Sequence, residues 1–84
     1  MPKITIYSTP ACPYCNLLKA YLKEHNIEFE DKNVAADKEA AQTMVNKSGQ
    51  MGVPVTIITT DDGQEEVLVG FDKARINELL NIQE

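Results

Sequence analysis

The chain has 84 residues, 43% of them hydrophobic, enough for one core and too few for two, so residues 1–84 are expected to form a single domain. Its formal net charge of −5, with no cluster of lysines or arginines, argues against binding nucleic acid through phosphates. No apolar run approaches the length of a membrane span, and Met1-Pro2-Lys3 leads straight into the alternating Ile4-Thr5-Ile6-Tyr7 instead of a secretory leader, so a cytoplasmic protein with no membrane partner is expected.

Lys3 to Tyr7 alternates with period two and predicts a first strand, closed by Ser8, Thr9 and Pro10. A helix follows at once. Pro13 suits its first position, where a missing N–H costs nothing, and Cys15, Leu18 and Leu22 share one face with Leu17 and Tyr21 beside it. His25 and Asn26 close this helix. Ile27 to Asn33 sets Ile27 and Phe29 in alternation with carboxylates, as a second strand with one wet face would. Asp37 caps a second helix through Lys47, thinly anchored by Ala40, Ala41, Met44 and Val45, with Gly49 just past its end. Val55 to Thr59 and Glu66 to Val69 flank Asp61-Asp62-Gly63-Gln64, a turn signal that predicts an antiparallel hairpin. Asp72 caps the last helix, which places Ile76, Leu79 and Leu80 on one face. The order is βαβαββα, an α/β fold. With right-handed crossovers it gives a four-stranded mixed sheet flanked by helices on both faces, its first strand interior.

Cys12 and Cys15 are the chain's two cysteines, and they stand three apart where the first strand gives way to the first helix. That spacing lets the thiols close a disulfide across one helical turn. So short a loop constrains the unfolded chain little, which makes redox chemistry a better account of the pair than stability. In a reducing cytosol such a pair reads as catalytic or metal-binding before it reads as structural. Tetrahedral zinc wants four ligands where the chain offers one Cys-x-x-Cys and a distant His25, so no self-contained metal site is expected. The thiolate is the attacking species, and the free N–H groups and positive dipole end of a helix start favour it at Cys12. Because stabilising a thiolate also blunts its nucleophilicity, the benefit falls mainly on Cys12 as a leaving group and on redox poise. Cys15, one turn on along the apolar face, is expected to be more buried and to resolve a mixed disulfide formed on Cys12. The Tyr14 ring can shield or line the site, or simply pack at the helix start.

Three marks occur in order: Cys12-Pro13-Tyr14-Cys15 after the first strand, Val53-Pro54 before the third and Gly70-Phe71-Asp72 before the last helix. With them the whole chain resembles the glutaredoxins, small proteins of thioredoxin fold. The run from Lys47 to Pro54 and the segment Val69-Gly70-Phe71-Asp72 are most similar to the short bacterial glutaredoxin-like proteins. The resemblance implies a dithiol–disulfide oxidoreductase that reduces protein or glutathione mixed disulfides through a Cys12–Cys15 cycle. Its partners would be disulfide-containing proteins or glutathione, it would act as a monomer, and it would hold no permanent cofactor. The resemblance further implies that Pro54 is cis and faces the cysteines, so that Val53 offers its backbone to a peptide or to glutathione as an added strand would. Tyr14, Gly70, Phe71 and Asp72 would complete that groove. Proline at the first position of a strand is also what ladder geometry alone tolerates.

The electron donor is left open by these residues. Typical glutathione-using members carry Gly-Gly before an Asp-containing helix start and a lysine just before the cysteine motif. Here Val69 stands in place of the first glycine, and Thr9 or Pro10 in place of the lysine. The helix start at Asp72 can still give N–H groups to a carboxylate and Lys73 adds positive charge, so a glutathione-compatible groove is the first expectation. Glycine followed by phenylalanine is similar instead to glutaredoxin-like redoxins that are reduced by thioredoxin reductase and serve ribonucleotide reductase. A glutathione-dependent dimer carrying a 2Fe–2S cluster is a third reading, against which Pro13 speaks, because the family's cluster binders usually lack proline there. His25 reads as a surface residue at a helix end. Lys19, four residues after Cys15, either biases its thiol or is a solvated helix lysine. Asp61 and Asp62 fit a turn better than half a calcium loop, and Met51 either borders the groove or fills a gap.

Overall fold

The computed structural model describes residues 3–50 and 52–82. Met51, read above as a groove or gap-filling residue, lies outside them. The elements are β1 (Lys3–Ser8), α1 (Pro13–Glu24), β2 (Glu30–Asn33), α2 (Lys38–Ser48), β3 (Val55–Thr59), β4 (Glu65–Val69) and α3 (Lys73–Leu80). The sheet runs in the order β2-β1-β3-β4. β1 is parallel to β2 and antiparallel to β3, which is antiparallel to β4. This is the mixed sheet of a thioredoxin fold, with β1 in its interior as expected. Among the described residues no helix is long and apolar enough to cross a membrane.

Alternation along β1 sends Ile4 and Ile6 to one face, where they meet Leu18, Tyr21 and Leu22 of α1, Ile58 and Leu68 of the sheet, and Ile76 of α3. Tyr7 turns to the other face and packs with Val55 and Ile57 beneath Ala40 and Met44 of α2. Removing Ile6, Leu18 and Leu22 from water stabilises the first cluster by about 1.5–3 kcal/mol for each side chain. Helix α2 buries just Ala40 and Met44, so its hold on the sheet is as thin as its sequence suggests. Asp37 caps it by accepting the Ala40 N–H at 3.1 Å, and Gly49 ends it at a φ of 74°, a left-handed conformation that glycine adopts without Cβ strain.

Two expectations are corrected. The second strand begins at Glu30 instead of Ile27, because the preceding residues serve the end of α1. Asn26 takes a φ of 58°, its N–H donates to the Lys23 carbonyl at 3.1 Å, and the Ile27 N–H donates to the Leu22 carbonyl at 2.9 Å. This is a Schellman turn, which ties the Ile27 N–H back to the helix before any strand can use it. Ile27 and Phe29 still pack against the α1–α3 core. The second correction concerns Leu17, which is 54% exposed. The core face of α1 is set by Cys15, Leu18 and Leu22, and α3 covers Tyr21, whose hydroxyl donates to Asn77, without reaching back to Leu17.

Leu18 and Leu17 are adjacent in sequence and opposite in burial, which separates helix propensity from packing. Leu18→Ala is expected to lower stability by about 2–5 kcal/mol, the range for a fully buried leucine. Leu17→Ala is expected to change it by less than about 0.5 kcal/mol. Urea unfolding of the two variants checks this, and equal losses would contradict the orientation of α1.

Candidate active site

The segment between β1 and α1 builds the site. The Cys12 N–H donates to the Thr9 carbonyl at 3.2 Å, closing a turn that brings Cys12 to the N-cap of α1 with Pro13 at its first position. As the cap, Cys12 accepts the N–H of Cys15 on its sulfur at 3.1 Å, while its carbonyl takes the Asn16 N–H at 3.2 Å. An N–H of the first turn aimed at sulfur favours negative charge on that sulfur. Both thiols are free; Cys12 is half-buried, and Cys15 is fully buried. Burial pushes the Cys15 thiol up to about 11, and its side-chain hydrogen bond with Cys12 adds to the rise. The two sulfurs are thus unequal in access, and burial adds to the cost of ionising Cys15.

Strand register brings the other expected residues to the same end of the sheet. Tyr7 pairs with Val55 and Val55 with Val69, so the segments before β3 and after β4 lie beside the end of β1. The Val53–Pro54 bond is cis and the Pro54 side chain is fully buried. The Pro54 carbonyl accepts the N–H of Gly70 at 2.9 Å, tying these two segments together, with Gly70 at a φ of 77°. Val53 is half-buried against the α2-side core, and no partner among the described residues takes its N–H or carbonyl. Tyr14 is 64% exposed on the rim. Phe71 is turned into the core instead, its ring 5.8 Å from that of Tyr21. Asp72 caps α3 by accepting the Arg75 N–H at 3.1 Å. The cations there are engaged: Lys73 lies 5.0 Å over the Tyr21 ring, and Arg75 reaches Glu66 at 3.2 Å.

A polar cluster behind α1 is missing from the sequence reading. The buried Ser8 hydroxyl donates to Asp31 Oδ1 at 2.6 Å, and Lys19 Nζ donates to Asp31 Oδ2 at 3.0 Å. Burial works against the charge on Asp31, but these two donors outweigh it and hold the carboxyl below its usual range. Lys19 is therefore ion-paired and not a solvated helix lysine. The pairing of Asp31 with Ile6, which puts both on the α1 side of the sheet, would have revealed it, and a register is not visible in spacing alone. His25 stacks edge-on against Tyr21, with ring centroids 4.6 Å apart. A concavity lined by Lys3, Thr5, Glu30, Lys32 and Glu65 among others holds neither cysteine. Two of its lysines are paired with its carboxylates, Lys32 with Glu30 at 2.8 Å and Lys47 with Glu65 at 2.6 Å, so the chemistry is placed at the cysteines.

Residues 4–62 match the glutaredoxin family. An uncharacterized glutaredoxin-like 8.6 kDa protein in the rubredoxin operon of Clostridium pasteurianum is 49% identical over 77 residues, 92% of this chain and 96% of that protein. Glutaredoxin 3 of Escherichia coli is 29% identical over 58 residues, 69% of this chain and 70% of that protein. The glutaredoxin-like NrdH-redoxin of Escherichia coli, whose structure was used to explain a thioredoxin-like activity profile, superposes with a TM-score of 0.75 at 31% identity, over 92% of this chain and 93% of that one.

The inequality of the two thiols is directly measurable. Iodoacetamide at pH 7 is expected to add one group, on Cys12, and to modify Cys15 only in denaturant or as the pH is raised toward about 11. Peptide mapping by mass spectrometry reads the outcome, and preferential labelling of Cys15 in the folded protein would contradict it.

Proposed function

The chain belongs to the glutaredoxin family and is a thiol–disulfide oxidoreductase; from that premise we propose that Cys12 attacks a partner protein's disulfide, that Cys15 resolves the mixed disulfide, and that a thioredoxin-reductase-type flavoprotein returns the electrons. The observation that carries the division of labour is the burial of Cys15 behind a Cys12 that reaches the surface. In the first step the Cys12 thiolate bonds to one sulfur of the partner disulfide, and the other sulfur leaves with the electron pair and takes up a proton. In the second step Cys15, having lost its proton, bonds to Cys12. The partner's remaining sulfur departs as a thiolate and is protonated in turn. The partner gains two electrons and two protons, and the enzyme is left with a Cys12–Cys15 disulfide. The hydrogen bond from the Cys15 N–H supports Cys12 as the attacking thiolate, and the leaving group in both steps is a sulfur of the partner.

The donor assignment rests on the rim. Tyr14 and Leu17 on the first turns of α1 and Val69 at the end of β4 are each at least half exposed, apolar side chains suited to contact with another protein. The start of α3, where a glutathione carboxylate would be sought, carries the Asp72 carboxylate, and Lys73 and Arg75 are drawn to Tyr21 and Glu66. A thioredoxin-like activity profile in the similar redoxin from Escherichia coli supports the same reading. Glutathione as reductant and as substrate in mixed disulfides is the second reading, favoured by the backbone of Val53, which has no partner among the described residues and which a tripeptide can meet as an added strand meets a sheet edge. A cytoplasmic site of action and a monomeric state belong to this proposal as well.

The two readings separate in one assay, in which the oxidised protein is offered either NADPH with thioredoxin reductase or millimolar glutathione alone. Faster reduction by the reductase is expected. Faster reduction by glutathione would overturn the donor assignment, and failure of both would overturn the dithiol cycle.

A further inference from the structure

Resolution by Cys15 poses a physical difficulty, because a buried thiol must ionise before it can attack. Cys15 is fully buried, and burial makes its thiolate costly. The cation closest along its own helix is Lys19, four residues on and hence one turn away on the same side of α1. Lys19 does not extend into water: its side chain is 19% exposed and its Nζ is held 3.0 Å from Asp31 on β2. Asp31 is in turn held by the hydroxyl of Ser8, 2% exposed at the end of β1 and on the same sheet face. The Ser8–Asp31–Lys19 chain therefore fixes an ammonium group behind the helix turn that carries Cys15.

We propose that Lys19 is a positioning residue for the resolving step, its ammonium, oriented by Asp31 and Ser8, stabilising the Cys15 thiolate as it forms. The proposal rests on the reading of Cys15 as the resolving thiol. Acting on Cys15 are Cys12 from the turn before α1, which disfavours a second negative charge until it is bonded to a partner, and two groups that favour the charge, the Thr9 backbone and, more weakly, Lys19 from α1. Asp31 on β2 tempers Lys19, and Lys23 on α1 tempers Asp31. The neutral hydroxyl of Ser8 lets Asp31 hold Lys19 without adding charge of its own. In the step concerned, the Cys15 sulfur bonds to Cys12, the Cys12–partner bond breaks, and the proton lost by Cys15 is balanced by the one the departing thiolate gains.

A stopped-flow reaction of the reduced protein with excess Ellman's reagent isolates that step. Attack by Cys12 releases one thionitrobenzoate in a bimolecular phase, and attack by Cys15 on the resulting mixed disulfide releases a second in a phase independent of reagent concentration. Loss of the cation raises the Cys15 pKa, and with a Brønsted slope of about 0.45 each tenfold loss of thiolate at pH 7 is offset roughly threefold by greater nucleophilicity. Lys19→Gln is thus expected to slow the second phase about threefold and to move its pH profile upward, and Lys19→Arg to restore both. Far-UV circular dichroism reports whether each variant is folded. Lys19→Gln combined with Asp31→Asn leaves no unpaired carboxylate, so it keeps the test available if the single variant fails to fold; it is expected to stay slower than the unaltered protein. A second phase of unchanged rate and pH profile in Lys19→Gln, or a double variant as fast as the unaltered protein, would overturn the role of Lys19. A second release in the unaltered protein whose rate rises with reagent concentration would instead overturn the reading of Cys15 itself.

Discussion

The contact on which the rest of this structure depends is the cap of α1, where the Cys12 sulfur accepts the N–H of Cys15 at 3.1 Å. One hydrogen bond there does three things. It satisfies a helix N–H that has no partner inside the helix, it sets a sulfur at the positive end of the helix dipole, and it fixes the two cysteines one turn apart. The cap holds because α1 is anchored behind it by Leu18 and Leu22 against Ile4, Ile6 and Ile58. Burial of Cys15 follows from the same anchoring, since it shares a face with Leu18. The inequality of the two thiols is thus a product of core packing as much as of motif spacing.

Around that cap the sheet acts as a frame that collects distant segments. The antiparallel pairing of β1 with β3 and of β3 with β4 brings Pro54 and Gly70 to the end where β1 hands over to α1. The bond from the Gly70 N–H to the Pro54 carbonyl closes the frame on its far side. Asp72 faces the same end but is committed to capping α3, and Phe71 is committed to Tyr21. Tyr14, Leu17 and Val69 stay at least half exposed.

Much of this was legible in the sequence because local chemistry dictated it. Pro13 after Cys12, Asp37 before α2 and Asp72 before α3 each announce a helix start, and each caps as its type predicts. What escaped reading was partly local, in how the helices end, and partly dependent on partners far away in the chain. Asn26-Ile27 ends α1 as a Schellman turn and Asn81-Ile82 ends α3 similarly, with the Ile82 N–H on the Asn77 carbonyl at 2.9 Å. The first of these shortened a strand that alternation alone had drawn from Ile27. Leu17, read beside the face of Cys15, Leu18 and Leu22, is exposed. The Ser8–Asp31–Lys19 chain joins three elements, so only the register of β2 on β1 reveals it.

The central claim is that Cys12 attacks and Cys15 resolves, and trapping tests it most directly. Variants Cys15→Ser and Cys12→Ser would each be incubated with a disulfide-bonded peptide and analysed by intact mass. The account predicts a stable mixed disulfide on Cys12 in Cys15→Ser and little or none in folded Cys12→Ser, whose remaining thiol is buried. A mixed disulfide that forms as fast on Cys15 as on Cys12 would contradict it.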